Sequence, residues 1–206
     1  MAFYDRFILP NLINTACKQG PIMKQRAKIV PEAEGIVAEI GMGSAPNLPF
    51  YDPEKVKALI GIEPNPGLRK KATRAIAASG LDIELLDGRA EALPLDGGSV
   101  DTVVLTYTMC SLPDVPGALS EVRRVLKPGG RLLICEHGAA PDEGVLKWQR
   151  RIEPAWKVIG GGCHLARPID RMVEAGGFRF DTLLAEYVPK TPKIVGYDYV
   201  GMARAI

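Results

Sequence analysis

Gly41-Met42-Gly43 stands where an apolar run, Gly35–Ile40, ends. Glycine tolerates positive φ and lets the backbone approach a bound molecule closely. In an open α/β sheet, ligands bind at the carboxyl ends of the strands. Glu39, just ahead of the turn, brings in a carboxylate that suits a positively charged cofactor, and Met42 and Asn47 complete the candidate contacts of the loop. A dinucleotide fingerprint would require a third glycine at position 46, where this chain has Pro46. Glu63-Pro64 closes the second apolar run, 20 residues after Gly43. An acid there can accept hydrogen bonds from both hydroxyls of a ribose. A helix dipole would also favour an acid at that point; the spacing from Gly43 favours the ribose.

Two histidines are candidates for proton transfer. His137 follows the fifth apolar run, and His164 sits in Gly160-Gly161-Gly162-Cys163-His164. An imidazole titrates near neutrality and can serve as a base, although both residues also read as ordinary loop histidines. Cys110 reads as a small packed apolar residue. The four cysteines are widely spaced with no CxxC, which predicts free thiols in a reducing compartment and no metal site. Cys163-His164 has no partner pair elsewhere. Tyr4, Trp148 and Trp156 offer an apolar wall for an acceptor, and serve equally well as core residues.

Positioning these groups falls to an alternation of short apolar runs with amphipathic segments, the pattern of a parallel sheet covered by helices. Strands are predicted over Gly35–Ile40, Val56–Gly61, Ile83–Leu86, Val100–Thr106 and Arg131–Glu136, with helices over Leu68–Ser79 and Val115–Leu126. Lys127-Pro128-Gly129-Gly130 ends the second helix and turns the chain into the next strand. Helices over Gly144–Ile159 and Pro168–Ala175 follow, then two strands, Phe180–Val188 and Val195–Ala203, joined through Pro189–Lys193 as an antiparallel hairpin. Residues 1–34, with the stripe Phe3, Tyr4, Phe7, Ile8, Leu12 and Ile13, read as a helical lid or a helix docked on the sheet. The expected fold is a single α/β domain with a Rossmann-like, seven-stranded, mostly parallel sheet, a C-terminal antiparallel hairpin and helices on both faces. Residues 35–137 form its cofactor core, and residues 138–206 a substrate-side insertion with the terminal hairpin.

With 206 residues and a formal net charge of +2, the chain suits one domain and has no bulk charge for nucleic acid. The basic clusters Lys24-Gln25-Arg26-Ala27-Lys28 and Arg69-Lys70-Lys71 read as solvated helix faces. The first residues do not form a signal peptide, and no apolar run reaches the roughly 18 residues that span a bilayer. The chain reads as cytoplasmic, with no integral membrane segment and no obligate protein partner.

Glu39-Ile40-Gly41-Met42-Gly43-Ser44, Glu63-Pro64-Asn65, Gly88–Leu95, Ser99-Val100-Asp101 and Val125–Gly130 occur in that order. Together they resemble the ubiquinone/menaquinone branch of class I methyltransferases. Met109-Cys110-Ser111, Glu136-His137, Glu153-Pro154-Ala155-Trp156 and Gly162-Cys163 resemble the methyltransferase-like-7 thiol methyltransferases, whose N-terminal apolar anchor this chain lacks. The resemblance implies S-adenosyl-L-methionine as cofactor and a small-molecule acceptor, with a lipophilic thiol foremost. It implies that Arg89, Ala90 and Glu91 meet the adenine, and that Thr106 and Tyr107 lie beside the methionine end. Arg89 stands where the branch commonly has an acid, which leaves Asp87 or Glu91 for the adenine amino group. Displacement from a sulfonium needs alignment more than a catalytic constellation, and a thiol ionises with little help. The alternatives are O- or C-methylation of a phenol or quinone, phospholipid N-methylation, a cofactor-binding regulator without turnover, and a nicotinamide oxidoreductase. Pro46 and the terminal hairpin argue against the last.

Overall fold

A computed structural model describes residues 15, 17–79 and 82–206. The expected lid stripe from Phe3 to Ile13, with Tyr4, lies outside these residues. The strands are β1 (Gly35–Ile40), β2 (Val56–Ile62), β3 (Ile83–Leu86), β4 (Val100–Thr106), β5 (Leu126–His137), β6 (Phe178–Tyr187) and β7 (Tyr197–Ala205). They form one sheet in the order β3-β2-β1-β4-β5-β7-β6. The first five are parallel, and β7 runs antiparallel to both β5 and β6. The helices are α1 (Gly20–Arg26), α2 (Pro66–Ser79), α3 (Val115–Val125), α4 (Glu143–Ile159) and α5 (Ile169–Ala175).

Both faces of the central strands are buried, so their runs are continuously apolar while their side chains alternate between two cores. Ala38, Ile40, Val103, Leu105, Leu132 and Ile134 meet α3 and α5 through Leu119, Val122 and Val173. Val37, Val104, Leu133 and Cys135 face the opposite core, to which α2 contributes Ala72. Asp114 caps α3 by accepting from the Gly117 amide at 3.0 Å. Asn65 does the same for α2 through the Gly67 and Leu68 amides.

Several boundaries differ from the sequence expectation. β5 starts at Leu126, which pairs with Val100; Lys127–Gly130 then bulge out, and pairing resumes at Thr102↔Arg131. Lys127 Nζ reaches both oxygens of Asp101, at 2.8 and 2.9 Å, and so holds the bulge against β4. β6 starts earlier than predicted and β7 ends later, because Phe178 already pairs with Ala205, while on the turn side β6 stops at Tyr187 and β7 begins only at Tyr197. Their connection runs from Val188 to Gly196 and is closed by an amide-to-carbonyl bond of 2.8 Å between those two residues. Between β1 and β2 there is no α-helix, only a 3-10 turn at Leu48–Phe50.

Candidate cofactor cleft

The glycine turn is built where β1 stops. The Gly41 and Met42 amides donate to the Ile62 carbonyl, at 2.8 and 3.1 Å, which folds the loop over the end of β2. Gly41 has φ +70°, and a Cβ there would lie 2.5 Å from Thr108 Oγ1. Gly43 has φ +61°, with only the Gly41 carbonyl within 4 Å of such a Cβ. The first glycine is therefore required by packing, and the second by open space. Ala45 (φ +61°) and Tyr107 (φ +52°) also adopt the left-handed region without being glycine, and strain of this kind collects at functional sites.

A cleft of about 270 Å³ opens at the carboxyl ends of β1, β2 and β4. Of the residues singled out from sequence, Gly41, Met42, Gly43, Glu63, Pro64, Arg89, Ala90, Glu91, Thr106 and Tyr107 line it. Glu63 Oε2 accepts from the Gly43 amide at 2.9 Å and Oε1 from the Asn65 amide at 2.8 Å. Burial raises its pKa, opposed by those two amides. Glu91 lines the cleft, with Oε1 buried and without a hydrogen-bond partner among the described residues. Asp87, the other acid considered for the adenine, has a side chain 70% exposed and is paired with Arg69.

Other candidates sit elsewhere. Glu39 and Asn47 do not line the cleft; both are buried beneath it. Glu39 accepts from Asn47 Nδ2 at 3.0 Å and Tyr51 Oη at 2.6 Å, and burial pushes its pKa up to about 7 against the pull of Tyr51 and Arg26. Its carboxylate organises the floor instead of facing a ligand. Trp148 is 52% exposed under the Arg151 guanidinium, and Trp156 donates Nε1 to Cys163 Sγ at 3.4 Å, so neither forms the cleft wall. His164 is turned away onto Glu153, with Nδ1 3.0 Å from the carboxylate. His137 does not line the cleft either; its ring stacks behind Tyr107 with centroids 6.4 Å apart.

Arg26 was read as part of a solvated basic face, yet it is buried at 2% exposure and lines the cleft. Its Nη1 donates to Asn47 Oδ1 at 2.9 Å and to Thr106 Oγ1. The guanidinium lies 4.9 Å from the Tyr107 ring centroid, and Nε has no hydrogen-bond partner among the described residues. Glu136 is a second buried organiser. It accepts from the Thr108, Met109 and Cys110 amides and so fixes the loop after β4. Burial pushes its pKa up to about 7, opposed by the Thr108 and Met109 amides.

The wide cysteine spacing predicts no Cys/His cluster, but the fold makes one. Cys110, His137 and Cys163 bring their ligating atoms within 4.8 Å of one another, with His137 Nε2 3.0 Å from Cys163 Sγ. A hydrogen bond from the Cys110 thiol, with His137 helping, pulls the Cys163 thiol well below its ordinary range against the effect of burial.

A mostly parallel sheet with a glycine turn after β1 and a carboxylate fixed after β2 places its ligand crevice at the carboxyl ends of the strands. Residues 38–134 match the family described as "Methyltransferase domain". The chain is 38% identical over 150 residues to the thiol S-methyltransferase TMT1B of Rattus norvegicus, matching 70% of this chain and 60% of that one. It is 35% identical over 122 residues to a demethylmenaquinone methyltransferase of Thermus thermophilus, matching 57% of this chain and 56% of that one. The chain thus spans about 60% of the length of the curated relatives it matches. A SAM-dependent methyltransferase from Thermotoga maritima, described as a possible histamine N-methyltransferase, shares the fold. Its TM-score is 0.74 at 21% identity, covering 100% of this chain and 99% of that one. Among the described residues, no helix is long and apolar enough to cross a membrane.

Proposed function

We propose that this chain transfers a methyl group from S-adenosyl-L-methionine to a small lipophilic thiol. The observation that carries the reading is the Glu63 carboxylate, aimed by the Gly43 and Asn65 amides beside the open face of Gly43. It would accept from the ribose hydroxyls. Two residues lining the cleft, Arg26 and Glu91, each have a buried side-chain atom, Nε and Oε1, with no hydrogen-bond partner among the described residues, and they suit the ends of the same molecule. Arg26 Nε would donate to the methionyl carboxylate, and Glu91 Oε1 would accept from the adenine amino group. Arg89 and Ala90 would border the adenine, while Thr106 and Tyr107 would border the methionine. When bound, the cofactor supplies a methyl group already activated on a sulfonium sulfur.

The protein's share of the chemistry is to align the acceptor and keep water out. Neither histidine lines the cleft, which favours an acceptor that needs little help to ionise. Similarity to thiol S-methyltransferases supports the same choice. The test pairs S-adenosylhomocysteine titration with turnover on alkyl thiols, phenols and quinols. Binding with methylation of thiols is the expected result. Methylation confined to quinols would reassign the acceptor, and binding without any turnover would leave a regulatory protein.

A further inference from the structure

We propose that Cys110, His137 and Cys163 form a binding site for one thiophilic divalent cation, zinc in first place. Two sulfurs and an imidazole nitrogen, each within 4.8 Å of the others, are the donor set that such ions select. In a tetrahedral zinc site of this kind the ligand atoms stand about 3.6 Å (N to S) and about 3.8 Å (S to S) apart. The observed separations, 3.0 Å from His137 Nε2 to Cys163 Sγ and none above 4.8 Å, bracket that spacing.

Cys110 and Cys163 come from separate loops and His137 ends β5, and these segments are tied to one another. The Cys110 amide is held by Glu136, and the Cys110 carbonyl accepts from the His164 amide at 2.8 Å. The loop carrying Cys163 is fastened to α4 by Glu153, which accepts from the Leu165 and Ala166 amides at 2.9 and 2.8 Å. Trp156 Nε1 already donates to Cys163 Sγ, the type of outer contact that orients a thiolate ligand.

Three protein ligands leave the fourth position of a tetrahedron open, as in catalytic zinc sites. The cluster borders the cofactor cleft, since Tyr107, stacked on His137, and Ser111, next to Cys110, both line it. An exogenous thiol at the fourth position loses its proton to solvent and is held as a thiolate. Its sulfur then forms the new bond to the methyl carbon, and the electron pair of the broken bond returns to the sulfonium sulfur. The neutral thioether that results is a weaker ligand and leaves. This catalytic part rests on the thiol reading above, whereas the cation site does not.

The test is metal uptake by the reduced full chain, measured with Zn²⁺ and with Co²⁺ as a spectroscopic substitute, without acceptor or cofactor. The expected result is about one equivalent per chain, with the ligand-field and thiolate charge-transfer bands of tetrahedral cobalt. Cys163→Ser and His137→Gln should each weaken binding at least about tenfold while keeping the wild-type circular dichroism. Uptake below about a tenth of an equivalent by the wild type overturns the proposal, as does equal affinity in both variants. Where a variant does not fold, the wild-type cobalt spectrum decides alone, and octahedral bands overturn the site. Because uptake is read without turnover, loss of the thiol reading leaves the site standing, and absence of uptake leaves the methyl-transfer reading standing.

Discussion

Arg26, Asn47, Glu39 and Tyr51 form one hydrogen-bonded floor beneath the cleft, and its cost is legible in Glu39. The folded pKa of about 7 lies above the ordinary 4.5. Between those values the native state keeps a proton that the unfolded chain has released, so this contribution is full below pH 4.5 and is lost as pH rises through 7. The stability advantage of wild type over Glu39→Gln should therefore shrink between pH 5 and pH 8 by on the order of 3 kcal/mol in urea unfolding. Arg26 gives a sharper test. Arg26→Lys keeps a charge but not the Nε donor, and Lys is no substitute in a fork geometry. It should weaken S-adenosylhomocysteine about tenfold, and methylthioadenosine, which has no carboxylate, hardly at all. An equal loss for both ligands would remove the carboxylate role. None of this was legible in the sequence: Lys24-Gln25-Arg26 has the composition of a wet helix face, and only α1 turning onto the ends of β1 and β4 buries its third residue. The metal-type cluster was hidden for a similar reason. His137 lies 26 residues from Cys163, and only the end of β5 and the loops after β4 and α4 bring the ligands together.

At the scale of elements, the β1 turn separates the demands of fold and of function. Gly41→Ala drives a Cβ into Thr108 and should destabilise the domain by about 2–4 kcal/mol. Gly43→Ala has room, so it should cost about 1 kcal/mol of stability yet project a methyl group into the cleft and weaken cofactor binding. Chemical unfolding and ligand titration of the two variants check this contrast; equal stability losses would contradict it. The parallel core was legible because each strand buried on both faces is a continuous apolar run between glycine and proline breaks. β1, β3 and β4 have the expected bounds. The hairpin and β5 were less legible, because the Lys127–Gly130 bulge and the Phe178↔Ala205 pairing depend on long-range partners. The β1–β2 crossover carries a 3-10 turn and no α-helix: Pro46, Pro49 and Pro53 fill it, and Tyr51 turns inward to Glu39.

For the whole molecule, the cleft couples cofactor binding to stability, because a ligand that binds only the native state raises the unfolding free energy. At 100 times its dissociation constant the gain is about 2.7 kcal/mol, about 5–10 °C for a chain of this size. NAD(P) should give no such shift, since Pro46 replaces the glycine that a dinucleotide fingerprint requires. The most direct test of the account is titration of S-adenosylhomocysteine into the wild type and into Glu63→Ala, followed by calorimetry. Two charge-assisted hydrogen bonds to the ribose, at about 1.5–3 kcal/mol each, predict one-to-one binding that weakens at least about 100-fold in the variant. Equal affinity in the two proteins, or no binding to the wild type, would contradict it.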